Sequence, residues 1–278
     1  MGCLNPDRFT HWFGNIHLSG PCNRSCFFCI GQHMMALDSI NNLGRHPLQG
    51  IDEFLEACHQ RGVTQINLTG SNTDPLLYKR TADLKVYIRQ FIPKLVFGIR
   101  TNGALARVRA DDLALFDSVS LSVTSLDPAT YRATMGEGEP PDIEAIARIC
   151  AGKRLKGNIV LCPRVGRFDI YDTVCALSRA GFKDVNLREP YGQPHVGDPF
   201  NDIPPIGRVH GMPVRELGGA RVVYWDVHWV EVESVNLYAN GRVSLDYAIT
   251  KGHDESGTIE RQSDFTHAGR VREQWVKQ

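Results

Sequence analysis

The chain carries no net charge: Lys+Arg and Asp+Glu both number 31 in 278 residues. Without a basic excess there is no electrostatic footprint for nucleic acid, and no run of like charge marks a tail. No stretch approaches the roughly 18 consecutive apolar residues of a membrane span. The first residues, Met1 to Arg8, lack the apolar core of a secretory signal. Pro6 stands where an N-myristoylation pattern needs Ser or Thr. Cysteines number only 8, too few for a disulfide-stapled secreted scaffold. Neither an internal repeat nor a low-complexity segment is present. These absences point to a cytoplasmic protein in a reducing compartment, with neither nucleic acid nor membrane as partner. What remains is an ordinary globular composition, 42% hydrophobic and 22% charged, sufficient for one large domain or a domain with a small extension.

Three of the few cysteines fall in one run, Cys22, Cys26 and Cys29, spaced CxxxCxxC with Phe28 before the last. Three close thiolates suit three irons of a [4Fe–4S] cluster, which ordinarily takes four cysteines, so one iron would stay open to another ligand. A structural zinc site is the alternative, because His33 completes a Cys3His set. Such sites more often split their ligands into two separated pairs, whereas these candidates all lie between Cys22 and His33.

Short apolar runs alternate with helical patterns. Strands are expected at 14–19, 65–69, 95–101, 118–124, 158–162 and 184–188. Helices are expected at 51–61, 84–92, 111–116, 143–151 and 171–180, with apolar residues at i, i+3 and i+4 and stops at Gly62, Pro93 and Gly181. Successive β-then-α units imply a parallel sheet with right-handed crossovers. Six units ending near Pro190 fall short of the eight of a closed barrel. The expected fold is therefore α/β: a partial (β/α)6 TIM-like barrel over residues 1–190, its site at the C-terminal strand ends. Residues 191–278 read as a small β-rich extension covering one end, with a hairpin signal at Asn240-Gly241.

The cysteine run directly follows the first strand, on the catalytic face of such a barrel. The second strand runs into Thr69-Gly70-Ser71-Asn72-Thr73-Asp74-Pro75, the third into Asn102-Gly103, and the fourth into Ser122-Val123-Thr124-Ser125-Leu126-Asp127. Each tip alone is common turn or N-cap chemistry. Together with the cysteines they describe a polar cup.

These motifs resemble the radical S-adenosylmethionine (SAM) enzymes over residues 14–190. Cys22, Cys26, Cys29 and Phe28 fit that family's cluster motif. Thr69, Gly70, Ser71, Asn72 and Thr73 occupy the place of its Gly-Gly-Glu segment, which holds the methionine ammonium, although this chain lacks the second Gly and the Glu. The resemblance implies a [4Fe–4S] cluster and S-adenosylmethionine as cofactors, and an electron donor such as flavodoxin or ferredoxin. It implies reductive cleavage of the sulfonium and hydrogen-atom abstraction from substrate. Ser122 and Ser125 would face ribose or carboxylate, Asn102 the cofactor or substrate, and Val160 the adenine.

The last cysteine is Cys175, and Asp246 or a neighbour stands where an auxiliary-cluster ligand would be expected, so a single cluster is anticipated. The extension would then be a substrate lid or a plain capping hairpin. Arg188, Glu189, Tyr191 and His195 leave the sixth strand, and Arg164 and Arg167 leave the fifth. Such a cationic rim suits a carboxylate or phosphate on a small substrate. Alternation places Asn158, Val160 and Cys162 on one face, where Cys162 could give a hydrogen atom to a substrate radical or could simply pack as a small apolar residue. Candidate catalytic residues are Cys162, Arg188 and Tyr191. The substrate is expected to be a small metabolite, with a peptide as the alternative and a non-catalytic metal-binding protein as the reading from another class.

Overall fold

The computed structural model describes residues 12–33, 40–190, 196–225 and 233–245. Its spine is a run of parallel strands: β1 (Phe13–Leu18), β2 (Gln65–Gly70), β3 (Val96–Thr101), β4 (Ser118–Val123), β5 (Arg154–Val160) and β6 (Asp184–Arg188). The helices between them are α1 (Ile51–Gln60), α2 (Thr81–Phe91), α3 (Ala110–Leu113), α4 (Pro128–Met135), α5 (Ile143–Ile149) and α6 (Arg167–Arg179). This is a partial, TIM-like barrel that does not close.

The β-rich segment after Pro190 joins the same sheet at both edges. Its strands are β7 (Gly207–Val209), β8 (Met212–Leu217), β9 (Ala220–Trp225), β10 (Ser234–Leu237) and β11 (Val243–Ser244). The order is β11-β10-β1-β2-β3-β4-β5-β6-β9-β8-β7. β10 adds parallel to β1, and β9 parallel to β6. Antiparallel β11 and the β7–β8 hairpin finish the two edges. The hairpin signal at Asn240-Gly241 is realised between β10 and β11, where Gly241 N donates to Tyr238 O at 2.9 Å.

Period-two alternation sorts the side chains. One row runs Ile16, Leu68, Ile99, Val119, Leu155 across five strands. It faces outward, beneath the helices: Gly157, two residues beyond Leu155, lies so close to α6 that an added Cβ would stand 2.9 Å from Leu177. The concave face has different chemistry. One row runs Asn236, Asn15, Asn67, Gly98, Ser118. The next includes Arg100, Ser120, Lys156 and Asp184. A closed TIM barrel fills its interior with branched apolar side chains. This one keeps amides, hydroxyls and cations there, which suits an enclosed polar ligand better than a dry core.

Two local expectations are corrected. β5 begins at Arg154 and ends at Val160 rather than spanning 158–162, so Cys162 lies past the strand. The charged Arg154 and Lys156 hide the strand's first half, yet they pair in register with Ser118 and Ser120. α4 is a full helix where only turn or N-cap chemistry was read. The Asp127 side chain accepts from Thr130 N at 2.8 Å, Pro128 occupies the first turn, and Tyr131 and Met135 are buried.

Candidate active site

The cysteine loop leaves β1 and ends in a 3-10 turn, Ile30–His33. Its backbone is tied to three neighbours and one of its side chains to a fourth. Ser19 N donates to Asn42 Oδ1 at 2.9 Å, and Gly20 N to Asn72 Oδ1 at 3.0 Å. Thr73 Oγ1 donates to Pro21 O at 2.6 Å. Asn102 Nδ2 donates to Asn23 Oδ1 at 2.8 Å. On the α4 side, Arg24 Nε donates to the Tyr131 hydroxyl at 3.1 Å and Ser25 N to Met135 O at 3.2 Å. The tips of β2 and β3 and the end of α4 thus set the position of all three cysteines.

The thiols sit at 3.7 Å from backbone or side-chain oxygens: Cys22 Sγ beside Asn23 Oδ1, Cys26 Sγ beside Met135 O, Cys29 Sγ beside Ser71 O. They also feel one another. Burial first, then the charges of Cys29 and Cys22, push the Cys26 thiol up to about 12. Burial raises Cys22 too, with Asp74 and Cys29 adding to it. No group of three or more His, Cys, Asp or Glu among the described residues is arranged as a ready metal site, so converging on iron requires the thiols to turn from these partners. The donor chemistry nonetheless fits an iron–sulfur cluster: three soft sulfurs on one loop, whose charges require a cation to be held together. No disulfide joins any described cysteine.

The β2 tip packs under this loop with no room to spare. A Cβ on Gly70 would stand 1.7 Å from Thr73 O, and one on Gly31 would stand 2.4 Å from Asn72 Cβ. Gly70→Ala is therefore expected to displace Thr73, break its bond to Pro21 and lower stability by about 1–3 kcal/mol. Thermal unfolding would check this, and an unchanged melting temperature would contradict the packing argument.

Asp74 is the hub beneath. It is buried, at 2% exposure, and accepts from Leu76 N at 2.9 Å, Thr101 Oγ1 at 2.8 Å and Asn102 N at 2.7 Å. Burial pushes its carboxyl up, against those hydrogen bonds and the charge of Arg24.

The anticipated contact residues separate into groups. Thr69 lies inward at the β2 end and Ser71 N donates to Leu18 O at 2.9 Å, both beside the cysteine loop. Asn72, Thr73 and Asn102 spend their side chains holding that loop. Ser122 and Val160 lie on the concave face, in register with Asn158 and Arg188 respectively. Phe28 packs edge-on to Phe27 with ring centres 5.3 Å apart, and Arg164 stacks 5.3 Å from the Phe27 ring. Ser125 is not brought to the mouth. It is fully buried, its hydroxyl donating to Asp169 at 2.6 Å and accepting from Asp127 N at 2.9 Å. Arg167 is drawn to Asp202 at 2.8 Å and lies over the Phe200 ring at 5.2 Å. Cys162 is 1% exposed within the apolar core, its thiol directed at Val160 O at 3.6 Å. Burial pushes that thiol up to about 12. Tyr191, His195 and Asp246 lie outside the described residues.

Several concave residues were not anticipated. His17 stacks on Tyr238 with ring centres 4.9 Å apart, and its Nδ1 lies 3.4 Å from Ser71 Oγ. Burial above all lowers its pKa to about 4, so the imidazole is neutral at pH 7. Lys156 is lowered to about 8, by burial first and then by Arg154, with Arg100 and Arg188 adding to it against Asp184. Trp225, at the end of β9, pairs in register with Arg188. A polar residue at every second strand position was the available signal.

Comparison with known proteins agrees with this geometry. The model of the Radical SAM superfamily matches residues 16–177, more than half of the sequence, and the chain belongs to that superfamily. Membership supports an enzymatic role and implies an iron–sulfur cluster and S-adenosylmethionine. Streptococcus suis SuiB is similar in structure, with a TM-score of 0.61 at 14% identity over 92% of this chain and 63% of that one. The same protein bound to S-adenosylmethionine gives 0.50 at 19% identity, over 68% and 42%. Escherichia coli coproporphyrinogen III oxidase, described as a radical SAM enzyme, gives 0.42 at 13% identity, over 67% and 46%. The chain thus spans less than two thirds of the length of these structures. No curated protein matches the sequence. Among the described residues, no helix is long and apolar enough to cross a membrane.

Proposed function

We propose that Cys22, Cys26 and Cys29 hold a [4Fe–4S] cluster, that S-adenosylmethionine binds its open iron, and that the substrate is a small polar metabolite on the concave face of the barrel. Held by Cys22, Cys26 and Cys29, the cluster would supply one-electron reductive cleavage of S-adenosylmethionine and, through it, hydrogen-atom abstraction from substrate. The protein's part is placement. Backbone groups of Thr69, Gly70 and Ser71 take the methionine end, while Asn72, Thr73 and Asn102 hold the cysteine loop over them. Ser122 faces the ribose or carboxylate, and Val160 the adenine. His17, neutral and packed on Tyr238, offers no charge to the floor of the site.

One observation carries this reading: the cysteine loop is bonded to the tips of β2 and β3 directly over a polar, cationic barrel interior. A peptide substrate is the second reading. The sheet ends in two edges, β11 and β7, rather than closing, and an extended peptide can pair with an open edge.

The test is anaerobic. Protein reconstituted with iron and sulfide, reduced and given S-adenosylmethionine is expected to release 5′-deoxyadenosine and methionine in equal amounts. A colourless protein that retains zinc and leaves S-adenosylmethionine intact would overturn the reading.

A further inference from the structure

The C-terminal ends of β6 and β9 bring together two polar groups that nothing yet described uses. Arg188 and Trp225 are in register on adjacent strands. The Arg188 guanidinium lies 5.3 Å from the centre of the Trp225 ring. Arg188 Nε and Trp225 Nε1 are both sealed from solvent, and neither has a hydrogen-bond partner among the described residues. Both are obligatory donors with no acceptor capacity. A buried donor left unpaired costs about 1–3 kcal/mol, so two side by side mark a place built for an acceptor.

The surrounding charge says what sort of acceptor. Arg100 and Lys156 share the concave face with Arg188, and their fields reach one another. Among the inward positions of the described strands the carboxylates are Asp184 and Glu216; Asp184 is engaged at the rim with Arg154 at 3.4 Å and Arg221 at 3.6 Å, and Glu216 is exposed, in register with Arg221. A pocket with excess positive charge and two unused N–H donors recognises an oxyanion. Beside Trp225 lies a small apolar cluster of Met212, Val214 and Val223, suited to a less polar body.

We propose that Arg188 and Trp225 form a subsite for a carboxylate or phosphate group of the substrate, making that substrate an organic oxyanion held by its acid group while hydrogen is taken elsewhere on it. The inference rests on the proposed radical SAM function for its meaning, though the site itself can be tested without turnover.

The test is calorimetric titration of the reconstituted protein with phenyl phosphate, benzoate and neutral benzyl alcohol, and separately with S-adenosylmethionine. At least one of the two anions is expected to bind about tenfold or more tightly than the alcohol, and which of them does so separates phosphate from carboxylate. Arg188→Gln should remove that preference. Arg188→Lys, which keeps the charge and loses the fork, should retain part of it. Trp225→Phe, which keeps the ring and loses the N–H, should weaken the anion severalfold. Binding should also weaken as pH rises through about 8, where Lys156, facing Arg100, Arg154, Asp184 and Arg188, gives up its proton. Equal affinity for anions and alcohol overturns the proposal. So does Arg188→Gln if it weakens S-adenosylmethionine as much as the anions, because the pair would then serve the cofactor's own carboxylate. A wild type that binds the anions but neither binds nor cleaves S-adenosylmethionine refutes the enzyme reading and leaves the oxyanion site standing.

Discussion

Cys26→Ala is expected to abolish 5′-deoxyadenosine formation while leaving the fold almost untouched. The sulfur is half-buried and its neighbours are weak ones, Met135 O at 3.7 Å and Met135 Sδ at 3.6 Å. Removing it loses about 1 kcal/mol or less of packing. The loop does not depend on that contact, because Ser25, Gly20 and Asn23 anchor it through backbone and amide bonds. Two thiolates are too few for a cluster that relies on three, so iron content should collapse. Cys58→Ala makes the reverse control. Cys58 is fully buried on α1, so its loss should cost about 1–3 kcal/mol and leave iron and cleavage intact. Iron per chain, 5′-deoxyadenosine and melting temperature, measured on both variants, separate a ligand from a core residue. Cleavage at the wild-type rate by Cys26→Ala would remove the cysteine run from the mechanism.

The same contrast between local chemistry and distant packing governs what could be read before folding. β1, β2, β3, β4 and β6 fall within a residue or so of their expected bounds because each combines a short apolar alternation with a turn signal. β5 does not, because Arg154 and Lys156 look like solvent-facing residues when nothing shows that the other side of the strand is concave. The partners of β9 and β10 were equally hidden. β-rich character is local, whereas pairing with β6 and β1 is decided by segments far away in the chain.

The three cysteines stand out by their spacing, since one short loop carries all of them. Ser125 looked like an available hydroxyl at a strand tip, and only the packing of α6 reveals that Asp169 takes it. Arg188 was legible as a cation leaving a strand. Its partner Trp225 was not, because the pair exists only through the register of β6 with β9.

Asp74→Ala should give the signature opposite to Cys26→Ala: a large loss of stability, followed by a loss of iron. The carboxylate gathers Leu76 N, Thr101 Oγ1 and Asn102 N in a pocket closed to water. Deleting it strands these donors together, and the expected cost is about 3–5 kcal/mol, at the upper end for a single substitution. Asp74→Asn keeps one acceptor oxygen but turns an amide N–H toward donors, so it should fall between wild type and Ala. Thr101→Val removes one donor, leaves the carboxylate its two backbone bonds and strands Gly103 N, which donates to Thr101 Oγ1 at 3.0 Å, so it should cost about 1–3 kcal/mol. The functional consequence travels through Asn102, whose backbone N–H Asp74 holds and whose side chain holds Asn23 beside Cys22. With that chain cut, the cysteine loop loses its β3 anchor, and iron should be retained poorly even at temperatures where the variant is folded. Denaturant unfolding and iron retention on the Ala, Asn and Val variants check the ranking. If Asp74→Ala melted with the wild type, the buried carboxylate would not be the link between the β2 tip and the cysteine loop, and the three cysteines would owe their position to α4 and the bonds of Asn42, Asn72 and Thr73.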